Sequence, residues 1–264
     1  MRTSRVKAKL AKNEPALITA LHFAEPSVYE MTSVMGFDGI WLDLEHHGAS
    51  VQTAANLMRA ARVGVADIIA RPAKGEFMRM GRMLEMGAQG IMYPRCESAA
   101  EAREVVRWAK FAPLGQRGID SGNPDGMFCG PDLNDYLKHA NAETFIVIQL
   151  EEQKAVDEAE AIAAVEGVDA LMLGPGDYSI LSGFPGQWDH PRIMQATEKI
   201  AAAARNAGKH WGRPMGSVDA AQQFLEMGAR LVFHGCDLII LKQGLEDIQK
   251  NFTPLGFTFD NRLR

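Results

Sequence analysis

The sequence predicts an α/β protein, a single (β/α)8 TIM barrel. Short runs rich in Val, Ile, Leu, Met and aromatics alternate with amphipathic helical runs from end to end, the pattern of successive βα units. The 264 residues are close to the roughly 250 typical of one such barrel. A marker recurs ahead of four of the apolar runs: Met35-Gly36-Phe37-Asp38-Gly39, Met86-Gly87-Ala88-Gln89-Gly90, Glu166-Gly167-Val168-Asp169-Ala170 and Met227-Gly228-Ala229-Arg230-Leu231. Each reads as a helix end, a glycine in the left-handed turn, and entry into a strand. No linker or low-complexity stretch interrupts the series, so residues 1–264 are expected to form one domain.

The elements follow in order. The expected strands are 16–22, 39–45, 66–71, 90–94, 145–151, 170–174, 209–215 and 230–235, most of them apolar enough for a buried parallel sheet. The first, with its interrupting His22, reads as a strand rather than a targeting segment. A helix is expected over 50–63, where Ser50 caps and Ala54, Leu57, Met58 and Ala61 share a face. Met80, Met83 and Leu84 form a core stripe at helical spacing, and Ser98 caps a helix over 98–111. Segment 112–143 is rich in Gly and Pro and is expected to be a lid or specificity loop near the mouth. The final helix, 238–250, carries Leu238, Ile239, Leu241, Leu245 and Ile248, which can pack on their own barrel or on a neighbour's.

Bulk properties exclude several function classes. The net charge of −5 comes without a basic stripe, which argues against nucleic acid as the main partner. No run of about 18 apolar residues suggests a membrane span. Cys96, Cys129 and Cys236 are odd in number and widely spaced, fitting free thiols in a reducing cytoplasm.

The candidate chemistry lies at strand ends. Thr144–Leu150 runs into Glu151, and Ala170–Leu173 runs into Gly174-Pro175-Gly176-Asp177. Two parallel strands thus deliver one carboxylate each to the face where barrel enzymes work. Two hard oxygen ligands with open positions suit Mg²⁺ or Mn²⁺, with Co²⁺ as a further option, and a chelating substrate. Strand two ends Asp43-Leu44-Glu45-His46-His47. Alternation puts Asp43 and Glu45 on one face, and a turn at the strand end can bring His46 to Asp43, making a general base. His47 reads better as a packing or capping residue. Arg71, at the end of strand three, offers planar donors to a carboxylate or oxyanion. Arg95 holds a similar position on strand four, where an ion pair with Glu97 is an ordinary use. No Walker A, GxSxG or HExxH pattern occurs. Lys74 and Lys154 lie beyond strand ends, poorly placed for a Schiff base.

Taken together, Asp43-Leu44-Glu45-His46, Arg71-Pro72, Gln149-Leu150-Glu151 and Gly174-Pro175-Gly176-Asp177-Tyr178-Ser179 resemble the signatures of the HpcH/HpaI aldolases, which are metal-dependent class II pyruvate aldolases. The resemblance implies reversible cleavage of a 4-hydroxy-2-oxo acid to pyruvate, or a close 2-oxo acid, and an aldehyde. It implies Glu151 and Asp177 as metal ligands, and His46 supported by Asp43 in proton transfer. It further implies Arg71 beside the enolate oxygen, and Gln149, Gly176 and Asp177 as substrate contacts. It also implies a homo-oligomer, a trimer or a hexamer of two trimers, with C-terminal helices exchanged between subunits. The sequence departs from the family pattern at His47-Gly48-Ala49, at Gly176 and after Arg117-Gly118, so the identity of the aldehyde stays open. The rival readings are a CoA-thioester lyase of the citrate lyase or malyl-CoA type on the same scaffold, a Schiff-base aldolase, and a barrel that binds a 2-oxo acid without turning it over.

Overall fold

Eight parallel strands close on themselves in chain order, each hydrogen-bonded to the next and the last to the first. The computed structural model describes residues 2–263. The strands are β1 (Ala16–Leu21), β2 (Gly39–Asp43), β3 (Asp67–Arg71), β4 (Gly90–Tyr93), β5 (Phe145–Leu150), β6 (Ala170–Leu173), β7 (His210–Pro214) and β8 (Leu231–Cys236). The helices are α1 (Arg5–Ala11), α2 (Pro26–Val34), α3 (Val51–Ala61), α4 (Phe77–Met86), α5 (Ala99–Ala109), α6 (Leu133–Glu143), α7 (Gln153–Asp157), α8 (Ala159–Ala163), α9 (Pro175–Leu181), α10 (Pro191–Asn206), α11 (Val218–Glu226) and α12 (Asp237–Phe252). All eight expected strands are present, most ending a residue or two early. Ser50 and Ser98 cap α3 and α5 as expected, each accepting from a backbone N–H three residues on. Gly36, Gly87, Gly167 and Gly228 all have positive φ, between 89° and 118°.

Side chains fill the barrel. Ile18, Ile69, Met92, Phe145, Val147, Met172, Leu231 and Phe233 form one buried cluster along its axis, and Val6 and Leu10 of α1 join them from below. Small residues make room for large ones. A Cβ on Gly90 would lie 2.4 Å from the Phe145 ring, and one on Gly212 would lie 2.1 Å from the Leu231 carbonyl oxygen. The second, larger cluster lies between strands and helices and includes the expected Met80, Met83 and Leu84.

Asp67, at the start of β3, ties α1 across the barrel floor. Its carboxylate accepts the Ser4 hydroxyl at 2.7 Å and the Val6 N–H at 2.8 Å, while Arg2 stands 3.7 Å away.

Segment 112–143 departs from expectation. It connects the end of α5 to the start of β5, so it returns to the floor of the barrel, opposite the mouth. There Arg117 pairs with Asp125 at 2.6 Å, Tyr136 donates to the same carboxylate, and the Asp125 N–H reaches the Glu85 carbonyl at the end of α4. Length and glycine content suggested a lid. Connectivity, helix to strand rather than strand to helix, decides the side.

The last helix, α12, buries only Asp237. Leu238, Ile239, Ile240, Leu241, Leu245, Ile248 and Phe252 are all exposed within this protomer. No helix among the described residues is long and apolar enough to cross a membrane.

Burial pushes the Asp67 carboxyl up to about 6, from 3.8, against the opposing pull of the Ser4 and Val6 donors. Between those values the folded chain holds more protons than the unfolded one, so this group's contribution to stability declines as pH rises from about 4 to about 6, by up to about 3 kcal/mol. Urea unfolding across that range should show the decline in the wild type, and Asp67→Asn should flatten it while retaining an acceptor for Ser4 and Val6.

Candidate active site at the carboxyl ends of the strands

The inward alternation that fills the barrel with apolar side chains continues upward into polar ones. Above Ile69 comes Arg71, above Val147 come Gln149 and Glu151, and above Met172 comes Gly174. These residues open on a cavity of about 1160 Å³, lined also by His22, Trp41, Asp43, His46, His47, Pro175, Gly176 and Asp177.

Glu151 is 2 % exposed. One carboxylate oxygen accepts the Gln149 side-chain amide at 2.7 Å, and the other accepts the Arg95 backbone N–H at 2.9 Å. Arg95 adopts a left-handed φ of 50°, a strained conformation for a non-glycine residue. The arginine therefore matters here through its backbone rather than the expected ion pair. Gly174 leaves the space that Glu151 occupies: a Cβ there would lie 2.2 Å from Oε1. Burial first, and the charge of Asp177 second, push the Glu151 carboxyl up to about 8. The side chain of Asp177, in the first turn of α9, takes part in no hydrogen bond or ion pair among the described residues.

Arg71 is buried and held as a fork. Nε and Nη2 donate to the two oxygens of Asp43 at 2.9 and 2.7 Å, and Nη1 points to the Gln149 side-chain oxygen at 3.5 Å. Its guanidinium lies 4.5 Å from the Trp41 ring centroid. Burial opposes the Asp43 charge, but this fork overrides it and holds the carboxyl below its usual range. Asp43, Arg71, Gln149 and Glu151 thus form one hydrogen-bonded chain across the mouth.

The histidines are arranged differently from expectation. Nε2 of His47, not of His46, lies 3.6 Å from Asp43, and the His47 ring stacks on His22 at 4.1 Å between centroids. His46 is half exposed in the cavity and meets Glu45 at 3.5 Å. The Glu45 Oε2 in that contact is buried without a hydrogen bond and lies 3.3 Å from Arg71 Nε. Burial raises the Glu45 pKa, with the charges of Asp43 and Asp177 adding to the effect. Sequence reasoning left Glu45 and His22 out of the site. The shared face of Asp43 and Glu45 was the available signal for the first. No local pattern marked the second, because the approach of β1 to β2 sets it.

The donor set suits a hard divalent cation. Arg71 compensates Asp43 with its fork and Glu45 by a longer contact, while Glu151 and Asp177, near enough for the charge of one to raise the pKa of the other, have no cation of their own among the described residues. The chemistry is carboxylate oxygen, with Glu151 and Asp177 facing the open cavity. No lysine lines that cavity. Lys74 is instead bound to the Arg95 carbonyl and paired with Glu97 and Glu101. Burial opposes its charge, but those pairs raise its pKa, the reverse of what a Schiff-base lysine needs.

Comparison with known proteins follows the same lines. Residues 21–243 match the family described as HpcH/HpaI aldolase/citrate lyase. The chain is 30% identical over 249 residues to a hydroxypyruvate/pyruvate aldolase from Pseudomonas aeruginosa, covering 94% of this chain and 92% of that one. It is also 30% identical over 246 residues to a 4-hydroxy-2-oxo-heptane-1,7-dioate aldolase from Escherichia coli, covering 93% and 94%. A crystal structure of an HpcH/HpaI aldolase from Desulfitobacterium hafniense DCB-2 superposes with a TM-score of 0.87 at 28% identity, covering 93% of this chain and 95% of that one.

Gly174→Ala is expected to displace the Glu151 carboxylate while leaving the strands intact. Titration calorimetry with Mn²⁺ should show affinity reduced by tenfold or more, on the order of the loss when a ligand's support is removed. Thermal unfolding should move far less than for Gly90→Ala, whose new methyl would meet a packed ring.

Proposed function

The chain belongs to the HpcH/HpaI aldolase/citrate lyase family, and on that premise we propose that it is a class II pyruvate aldolase. It reversibly cleaves a 4-hydroxy-2-oxo acid to pyruvate, or a close 2-oxo acid, and an aldehyde. The observation that carries this reading is the buried Glu151 carboxylate, crowded by Asp177 and joined through Gln149 to the Arg71 fork.

In the cleavage direction the C3–C4 bond breaks. Its electron pair moves onto C3 and the adjoining ketone as an enolate, and the proton of the 4-hydroxyl leaves to a base. Glu151 and Asp177 would hold a divalent cation of the Mg²⁺, Mn²⁺ or Co²⁺ kind, which when bound would supply Lewis-acid charge to such a reaction. Arg71 contributes a fixed positive group whose direction is set by Asp43 and whose solvation is limited by Trp41. Gln149, bonded to both Arg71 and Glu151, keeps them in register. The N–H groups of Gly176 and Asp177 lie in the first turn of α9, where no carbonyl of the helix can reach them. They suit the 2-oxo acid's carboxylate. His46 takes the 4-hydroxyl proton, directly or through one water, and the imidazolium then returns a proton to C3 of the enolate by the same route, which gives pyruvate. It is free of the stacking that engages His47, and the unsatisfied Glu45 oxygen beside it stabilises the imidazolium that forms. Asp43 serves this base indirectly, by fixing Arg71 rather than the imidazole.

Pyruvate release from a racemic 4-hydroxy-2-oxo acid tests the reading. EDTA should abolish turnover and Mn²⁺ restore it, whereas borohydride with pyruvate should leave it intact. Arg71→Ala should lower kcat by about 10²–10³ and His46→Ala by about 10²–10⁴, with His47→Ala falling less than His46→Ala. The reverse order of the two histidines would move the base to His47. Absence of turnover across a panel of such acids, with metal bound, would leave a 2-oxo acid binding protein.

The apolar face of α12 supports a homo-oligomer, a trimer or hexamer in which this helix packs on a neighbouring barrel. The free thiols suit the cytoplasm. Light scattering should find an oligomer, and Leu245→Glu, placing a charge on that face, should shift it toward monomer with little change in the circular dichroism spectrum.

A further inference from the structure

A second donor cluster stands in the wall of the same cavity, apart from Glu151 and Asp177. It joins the end of β1 to the end of β8. His22 Nδ1 lies 3.2 Å from Cys236 Sγ, and Cys236 Sγ lies 3.8 Å from Asp237 Oδ1. The ligand atoms of all three residues fall within 4.8 Å of one another. Two ligands of Zn²⁺, at about 2.0–2.3 Å from the metal and near the tetrahedral angle, stand about 3.5 Å apart. The two separations from the sulfur, 3.2 and 3.8 Å, bracket that value.

The cluster is oriented by the backbone. The Asp237 carboxylate accepts the N–H groups of His22 and Phe23 at the top of β1 and of Leu238 in its own helix, at 2.8 to 3.0 Å. These bonds fix its oxygens, as bonds to ligating carboxylates commonly do. The His22 ring is held from its other side by stacking on His47. His22 and Cys236 both line the cavity.

We propose that His22, Cys236 and Asp237 form a site for a borderline-soft divalent cation, Zn²⁺ in kind, with its fourth position facing the substrate cavity. A sulfur and an imidazole nitrogen distinguish this set from the all-oxygen pair of Glu151 and Asp177, so the two sites rank metals differently and only this one gives a bound metal a thiolate bond. Three protein ligands and one open position make a site able to take water or an oxygen of a ligand. Occupancy would clamp the end of β1 to the end of β8 and hold the His22–His47 stack beside Asp43. The inference goes beyond the aldolase reading and rests on neither Glu151 nor Asp177.

Cobalt titration of the full chain, reduced and freed of metal, tests it. One equivalent of Co²⁺ should produce the near-ultraviolet charge-transfer absorption of a Co²⁺–thiolate bond, and Zn²⁺ should displace it. Cys236→Ser should abolish the band, and His22→Ala should weaken cobalt affinity by tenfold or more. The double variant Glu151→Gln, Asp177→Gln should keep the band while losing lyase activity, which separates this site from the proposed reaction. Circular dichroism of each variant checks the fold, and Cys129→Ser, remote from the cluster, should behave as the wild type. No charge-transfer band at millimolar Co²⁺, a band that survives Cys236→Ser, or one lost in the Glu151, Asp177 variant would overturn the proposal.

Discussion

A carboxylate buried at the top of β5 organises the mouth of this barrel. Glu151 has one neutral donor for each oxygen and a second carboxylate nearby, an arrangement in which burial favours the proton over the charge. Several local oddities exist to serve it. Gly174 must lack a side chain because Glu151 fills that space. Arg95 takes a left-handed backbone so that its N–H points at Oε2. Gln149 is oriented because its amide donates to Glu151 while its oxygen faces Arg71. Burial and the nearby Asp177 charge favour the protonated form of this carboxyl near neutral pH.

Asp67 makes the contrast plain. It too is buried, and burial raises its pKa as well. Yet it sits at the floor of the barrel, enclosed by α1, with a hydroxyl, an N–H and a nearby arginine for company. It is fully buried and lies outside the large cavity at the mouth. One buried acid closes a structure and the other faces a space large enough for a substrate. The division follows the usual one for such barrels, in which the floor carries stability and the mouth carries chemistry.

The strands were legible because most are short apolar runs bounded by a glycine or proline, and a parallel strand buried on both faces has little freedom to be anything else. The four glycine markers were legible because only glycine takes their positive φ without strain. The acidic ends of β5 and β6 could be read from their place after such runs. Segment 112–143 was misjudged because composition says that a stretch is irregular but not which end of the barrel it occupies. The pairing of Asp43 was misjudged for a related reason. Period-two alternation holds only to the end of β2 at Asp43. Past that point the chain turns, and which of two adjacent histidines meets which of two carboxylates depends on the turn. Arg71 also competes for Asp43, and a bidentate guanidinium at 2.7–2.9 Å is the stronger partner.

That competition has a further consequence for the histidines. Once Asp43 is committed to Arg71, it can offer His47 only a contact at 3.6 Å, too long for a hydrogen bond to fix a tautomer. His47 is instead positioned by the face of His22, and His22 by its place between that ring and Cys236. The histidine chain on the β1–β2 side of the mouth is therefore anchored at β8, through sulfur and imidazole, while the carboxylate chain on the other side is anchored at β4 and β6. The two meet at Asp43 and Arg71, and again at Glu45, which lies 3.3 Å from Arg71 and 3.5 Å from His46. A change of charge on the carboxylate side reaches the histidine side through both contacts, and Arg71, common to both, is the joint between the two halves of the mouth.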